Sequence, residues 1–206
     1  MQSLFRKLLI LRFAQSFVDR FIHQRKPNRW KGLVLGAAGG AAGTLAMGYF
    51  LQAMASLSSS SDSGESSNSA RAWHALDDIS LLGKHYHDDE SSTAALGRII
   101  YQTLAGKEPE QETKTAMSQI VHWSFGTSMG ALYGAIRGHA GIPDATGGAL
   151  FGSAVWLFAS ELMIPLLGLS SGPTTSPAQA HANYLGGHIV YGVTTATVTQ
   201  LLHRIL

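Results

Sequence analysis

Residues 145–169, ATGGALFGSAVWLFASELMIPLLGL, run for 25 positions with a single ionisable side chain, Glu161. As an α-helix rising ~1.5 Å per residue, such a run is long enough to cross a hydrocarbon core of ~30 Å. An acid inside it is costly in lipid, so it is expected to face protein or water. Pro165 stands four residues further on. Its ring has no N–H and clashes with the carbonyl four residues back, which here belongs to Glu161. A helix weakened at the residue that carries the acid must satisfy both groups from neighbouring helices or from water.

Composition extends this reading to the whole chain. A soluble protein carries roughly 25 % charged residues; this chain of 206 residues has 14 %, with 45 % hydrophobic residues and 23 glycines. Few charges and many glycines predict an all-α integral membrane protein of several spans. The sequence contains no cysteine, which excludes disulfides, thiolate metal sites and thiol catalysis.

The N-terminal part, 1–31, is basic. Leu4, Leu8, Leu11, Val18 and Ile22 fall on one face at helical spacing, with Arg6 and Arg20 opposite. An amphipathic helix is expected over 1–25, either lying on an anionic leaflet or packed against the protein. No small-residue cleavage site follows a short apolar core, which argues against a secretory signal, and the single acid Asp19 leaves a mitochondrial presequence open. The first span is expected over 32–55, where Gly36, Gly40, Thr44 and Gly48 make a groove of small side chains.

The one sizeable region outside the spans is 56–113. It begins with the low-complexity SLSSSSDSGESSNS, read as a linker, and continues with short helices over 70–83 and 93–105. Between these helices, HYHDDE offers His85, His87 and Asp88 as weak candidate metal ligands. They lack a second cluster elsewhere in the chain, so no metal is expected. The remaining block, 114–206, holds three further spans at 116–136, 145–169 and 181–202. Gly126, Gly130 and Gly134 form a stripe in the second span with His122 one turn before it. Gly148 and Gly152 mark close contacts in the third, and His188, Gly192 and Ala196 share a line in the fourth.

Eight basic residues (Arg6, Lys7, Arg12, Arg20, Arg25, Lys26, Arg29, Lys31) precede the first span, and ten of the 13 acids lie between Asp62 and Glu112. The positive-inside rule then puts both termini in the cytoplasm and 56–113 outside. On that topology Glu161, His188 and His122 lie roughly 12, 10 and 9 Å below the outer surface, counted at ~1.5 Å per residue. An intramembrane polar cluster of the three, with Pro165 as the kink beside it, is therefore expected. Such a cluster either relays protons or fixes helix register. No nucleophile elbow, phosphate loop, zinc-protease helix or dinucleotide fingerprint is present, so neither catalysis nor a cofactor is expected.

GGALFGSAVWLFASELMIPLLGL, the proline-containing loop after it and YLGGHIVYG resemble the C-terminal half of the YagU-type bacterial inner-membrane proteins, as does the earlier HWSF…YG span. The resemblance covers roughly residues 115–195. It implies a multi-pass inner-membrane protein of uncharacterised function with a suggested link to acid tolerance. Two functions are then expected to compete. The leading one is a non-catalytic accessory or structural subunit that packs against a larger membrane complex or a second copy of itself. The alternative is a small transporter or proton-conducting protein working through the Glu/His layer. The expected partners are the bilayer and other membrane subunits, with no nucleic acid.

Overall fold

The computed structural model describes residues 29–59, 79–88, 90–137 and 145–206. Five helices account for most of them, and no strand occurs among the described residues: α1 (Arg29–Ser59), α2 (Ser92–Ala105), α3 (Gln111–Arg137), α4 (Ala145–Leu166) and α5 (Ala178–Ile205). Each of the four expected spans falls on one of the long helices α1, α3, α4 and α5. Two of them, α1 and α4, are long and apolar enough to cross a membrane. At 27 and 28 residues α3 and α5 have the length, but Ser, Thr, His and Gln side chains dilute their apolar character. The amphipathic segment 1–25 lies outside the described residues, as does the serine-rich linker from residue 60 on; its first four residues, 56–59, instead continue α1 past the expected end of the span at 55. Where a short helix was expected over 70–83, the described residues 79–83 are irregular.

The helices pack in the order α2–α3–α1–α5–α4. Glycine decides this order. On α1, Gly32, Gly36 and Gly40 lie directly on Gly134, Gly130 and Gly126 of α3; a Cβ added to Gly36 would sit 2.8 Å from the Gly134 Cα, and one on Gly40 2.8 Å from the Gly130 Cα. The pairing runs in opposite directions along the two helices, so they are antiparallel. Gly39 and Gly43, on the adjoining face of α1, meet Thr199, Thr195 and Tyr191 of α5. In turn Gly148 and Gly152 of α4 lie on Gly192, Ala196 and the His188 carbonyl of α5. Small side chains allow backbones to come this close, and the gain is dispersion over a long contact. Thr44 continues the α1 groove because its hydroxyl is turned back to donate to the Gly40 carbonyl at 2.8 Å, presenting no unsatisfied group to α3.

The zipper stops at Thr44, which packs against Gly126. The expected fourth member of the stripe, Gly48, has no atom of the described residues within 4 Å of where its Cβ would be. Leu45 and Tyr49 beside it are 49 % and 70 % exposed. Above this point α3 leaves α1, while α1 stays on α5 through Met47, Phe50 and Leu51 against Gly186 and Gly187. Helices α3 and α4 do not pack along one another. They approach through Tyr133 and Phe151, whose rings are 5.0 Å apart, with Tyr191 behind at 6.4 Å from Phe151. The Tyr191 hydroxyl donates to the Gly126 carbonyl at 2.6 Å and ties α5 to α3. An apolar groove of about 280 Å³ runs beside this stack, lined by Tyr133, Ile136, Gly147, Leu150 and Phe151. Among the described residues, α3 thus parts from α1 in the upper half, while α1 and α4 both stay on α5.

The upper end is braced. Helix α4 ends in a Schellman motif: Leu169 N–H bonds the Ile164 carbonyl, Gly168 N–H bonds that of Pro165, and Gly168 takes φ 68°. The irregular segment 79–88 docks on this turn, with Leu81 N–H on the Leu166 carbonyl at 2.9 Å and His85 N–H on the Gly168 carbonyl at 2.8 Å. A side chain at Gly168 would collide with the Gly83 carbonyl as well as strain the left-handed backbone. Gly168→Ala is therefore expected to cost about 1–2 kcal/mol and to speed amide exchange at Leu81 and His85, while the lower-half amides stay protected. Unchanged exchange at those two amides would contradict this docking.

Candidate functional site

The middle of α4 is not α-helical. Trp156–Met163 is a π-helix whose last bond runs from Ile164 N–H to the Ala159 carbonyl, five residues back. After Pro165 the ladder resumes with Leu167 N–H on the Met163 carbonyl, four residues back. Between these two bonds stand the carbonyls of Ser160, Glu161 and Leu162, but Pro165 has no N–H and only Leu166 remains to donate. The α-helical register of Ile164–Leu166 assigns that donor to Leu162. Ser160 and Glu161 have thereby lost their ordinary α-helical donors, because Ile164 N–H goes to Ala159 and Pro165 has no N–H. Widening the turn is how the chain accommodates the proline ring, and such π-segments are often found at functional sites.

This segment presents its polar side chains to α5. The Glu161 carboxylate accepts from His181 Nδ1–H at 2.8 Å, with the two side chains 16 % and 27 % exposed. One residue earlier, the Ser160 hydroxyl lies 3.5 Å from His188 Nε2. His188 Nδ1 is 2.8 Å from the Tyr184 carbonyl. A carbonyl only accepts, so Nδ1 carries the proton and the neutral ring offers Nε2 to Ser160 as an acceptor. His122, one turn above Gly126, and Glu161 both lie within electrostatic range of His188. The expected Glu161–His122–His188 cluster therefore takes a different form: His181 holds the carboxylate, and His188 lies within electrostatic range of Glu161 and His122 without bonding Glu161. His181 and Ser160 are the site residues that the sequence reading passed over.

The weak metal-ligand candidates of HYHDDE are each engaged by local partners. His85 Nε2 is 2.8 Å from the Leu82 carbonyl, and Asp88 accepts from Lys84 at 2.6 Å. His87 Nδ1 is 3.8 Å from Glu90. Among the described residues no group of three or more metal-ligating side chains forms. The same stretch instead supplies an anchor. Glu90, with 1 % of its side chain exposed, accepts from Arg98 of α2 and Lys114 of α3, each at 2.9 Å, and from His87 N–H at 3.2 Å. Arg98 also donates to the His85 carbonyl at 2.7 Å. Burial alone would push the Glu90 carboxyl up; its hydrogen bonds to Arg98, Lys114 and the His87 backbone outweigh that and hold it at about 2. Through His85 and Gly168 this node connects α2 and α3 to the end of α4.

These elements define an all-helical protein with two membrane-capable helices and a polar site at a broken helix. The family-model comparison then places it: residues 94–197 match the protein family of unknown function DUF1440, and the chain belongs to that family. This is the YagU-type domain that the C-terminal half resembles. The match runs from α2 through most of α5, so it includes the π-segment, Pro165 and all the histidines of the site. No curated protein and no solved structure matches the chain.

Proposed function

We infer that this is a non-catalytic, four-span protein of the bacterial inner membrane that takes up and releases protons at Glu161. The observation carrying this is the Glu161–His181 pair, seated in a π-segment above the point where α3 leaves α1. Carboxylate and imidazole are the side chains most used to pass protons, and a pair of them in hydrogen-bond contact suits exchange with an aqueous face. The glycine zippers close the other half of the bundle, so the site communicates with one side of the membrane.

Topology follows from the charges. The end with Arg29, Lys31 and Arg204 is cytoplasmic, and the end with α2 and residues 79–88 is outside. A reporter fused after Leu206 is expected to read cytoplasmic and one inserted near residue 60 external. Any other pattern removes the four-span arrangement and the outward-opening site with it.

In sealed vesicles an imposed pH gradient is expected to drive proton flux through the wild type. Glu161→Gln keeps the size and most of the hydrogen bonding, so the bundle should assemble while flux is lost. Flux that is absent from the wild type, or that survives the substitution, refutes the proton reading. The second reading is then the accessory subunit. The zippers are engaged within the chain, so docking would use α4, which packs on α5 alone among the long helices. That leaves Leu157, Phe158 and Met163 at least half exposed. Co-purification with a stoichiometric membrane partner supports it.

A further inference from the structure

The two stranded carbonyls of α4 call for donors that the helix does not supply. In a membrane interior a carbonyl without a partner costs several kcal/mol, roughly as for any unsatisfied backbone group. Helices broken at membrane depth elsewhere use such carbonyls to hold sodium ions or protons. Here they occur at consecutive residues, Ser160 and Glu161, and the same two residues bring a hydroxyl and a carboxylate. His181 engages Oε1 of Glu161, which leaves Oε2 and its lone pairs for another partner. We propose that the Ser160 and Glu161 carbonyls, the Glu161 carboxylate and the Ser160 hydroxyl form a binding site for a small oxygen-coordinated monovalent cation, sodium or hydronium.

The charge argues for a monovalent ion, since one carboxylate balances one positive charge. The donor atoms are all oxygen, which suits a hard cation rather than a transition metal. The ionisable groups on the elements packed against α4 are His181, Tyr184, His188, Tyr191, His203 and Arg204 of α5, Tyr133 of α3 at Phe151 and, beyond Gly168, Lys84, His85, Tyr86, His87 and Asp88 of the docked segment. Of these only His181 touches Glu161, through the Nδ1–H already counted. Pro165 creates the site by removing a donor, so it acts as a positioning residue without touching the ion. This proposal deepens the proton reading and rests on it for the membrane setting.

Carbonyl isotope labels at Ser160 and Glu161, read by infrared spectroscopy of the whole protein in nanodiscs, test it. Sodium chloride is exchanged for choline chloride at fixed pH and ionic strength, and pH is then varied in choline alone. A saturable shift of both bands with sodium identifies sodium; a shift with acid alone identifies hydronium. In either case Pro165→Ala restores a helical N–H and is expected to weaken the response at least tenfold. Bands unmoved by both sodium and acid overturn the site, as does a Pro165→Ala response equal to the wild type. Proton flux with unmoved bands removes this site and leaves the proton reading standing; moved bands without flux do the reverse.

Discussion

Gly130→Leu is expected to prevent the bundle from assembling. Gly130 lies against the Gly36 carbonyl and the Gly40 Cα, and a four-carbon side chain there has no direction in which to point. Overpacking a core ordinarily costs ~1–3 kcal/mol because neighbouring side chains shift rotamers. Here the obstacle is backbone, so the helices must separate, and with them Gly32–Gly134 and Gly40–Gly126. A cost above about 3 kcal/mol, beyond that range, is large against a total stability of ~5–15 kcal/mol. Leu132→Ala is the control, since Leu132 is 46 % exposed on the opposite side. Size-exclusion profile and thermal unfolding in detergent should separate the two variants. A Gly130→Leu protein that behaves like the wild type would show that α1 and α3 do not meet as described.

Glu90→Gln is expected to release the upper end while leaving the zipped lower half in place. The substitution removes the charge from a carboxylate buried beside Arg98, which is 9 % exposed at its side chain, and Lys114, at 22 %. Stranding buried cations costs about 3–5 kcal/mol, and the exposure of Lys114 puts this case near the lower figure. The loss should appear as faster amide exchange at His85 and across α2. The wild type should show the same release in acid. Its carboxyl is held at about 2 against an ordinary 4.5, so the stabilisation is complete above the ordinary value and is lost as pH falls from there through about 2. Exchange at α2 that does not accelerate over that interval, or that accelerates equally in Glu90→Gln, would contradict this assignment.

Much of this was legible in the sequence, because small residues at four-residue spacing have few other uses in apolar helices. Gly36 and Gly40, the 126–134 stripe, Gly148, Gly152 and Gly192 all lie at helix contacts. Gly48 fits the same pattern but faces nothing, because spacing fixes the side of a helix and not how far its neighbour follows. The break at Glu161 was also legible, since Pro165 can only remove a donor. Its π-helical form, and the second stranded carbonyl at Ser160, depend on which register the chain adopts around the ring.

The partner of Glu161 was misread for a geometric reason. Depth along the span runs from residue 169, but α4 ends at Leu166 and the next three residues form its cap. Glu161 is then five residues from the helix end, ~7 Å at ~1.5 Å per residue. That matches His181, three residues inside α5, better than His188. Antiparallel neighbours joined by a loop pair at equal distances from it, and that rule points to His181. The Glu90 node was hidden because Arg98 and Lys114 meet it from two different helices, and no spacing along the chain records that.

The proposed function requires a bundle that is open to the outside around Ser160 and Glu161 and shut below by glycine. Because the chain has no cysteine, single cysteines report it against an empty background. Ser160→Cys and Thr199→Cys are near-isosteric, the first half-buried in the polar site and the second 1 % exposed against Gly39. In sealed, oriented vesicles, Ser160→Cys is predicted to react with a membrane-impermeant thiol reagent added outside. Thr199→Cys is predicted to stay unreactive from either face. A Ser160→Cys protein that is inert from outside, or labelled only from the cytoplasmic face, would contradict the account.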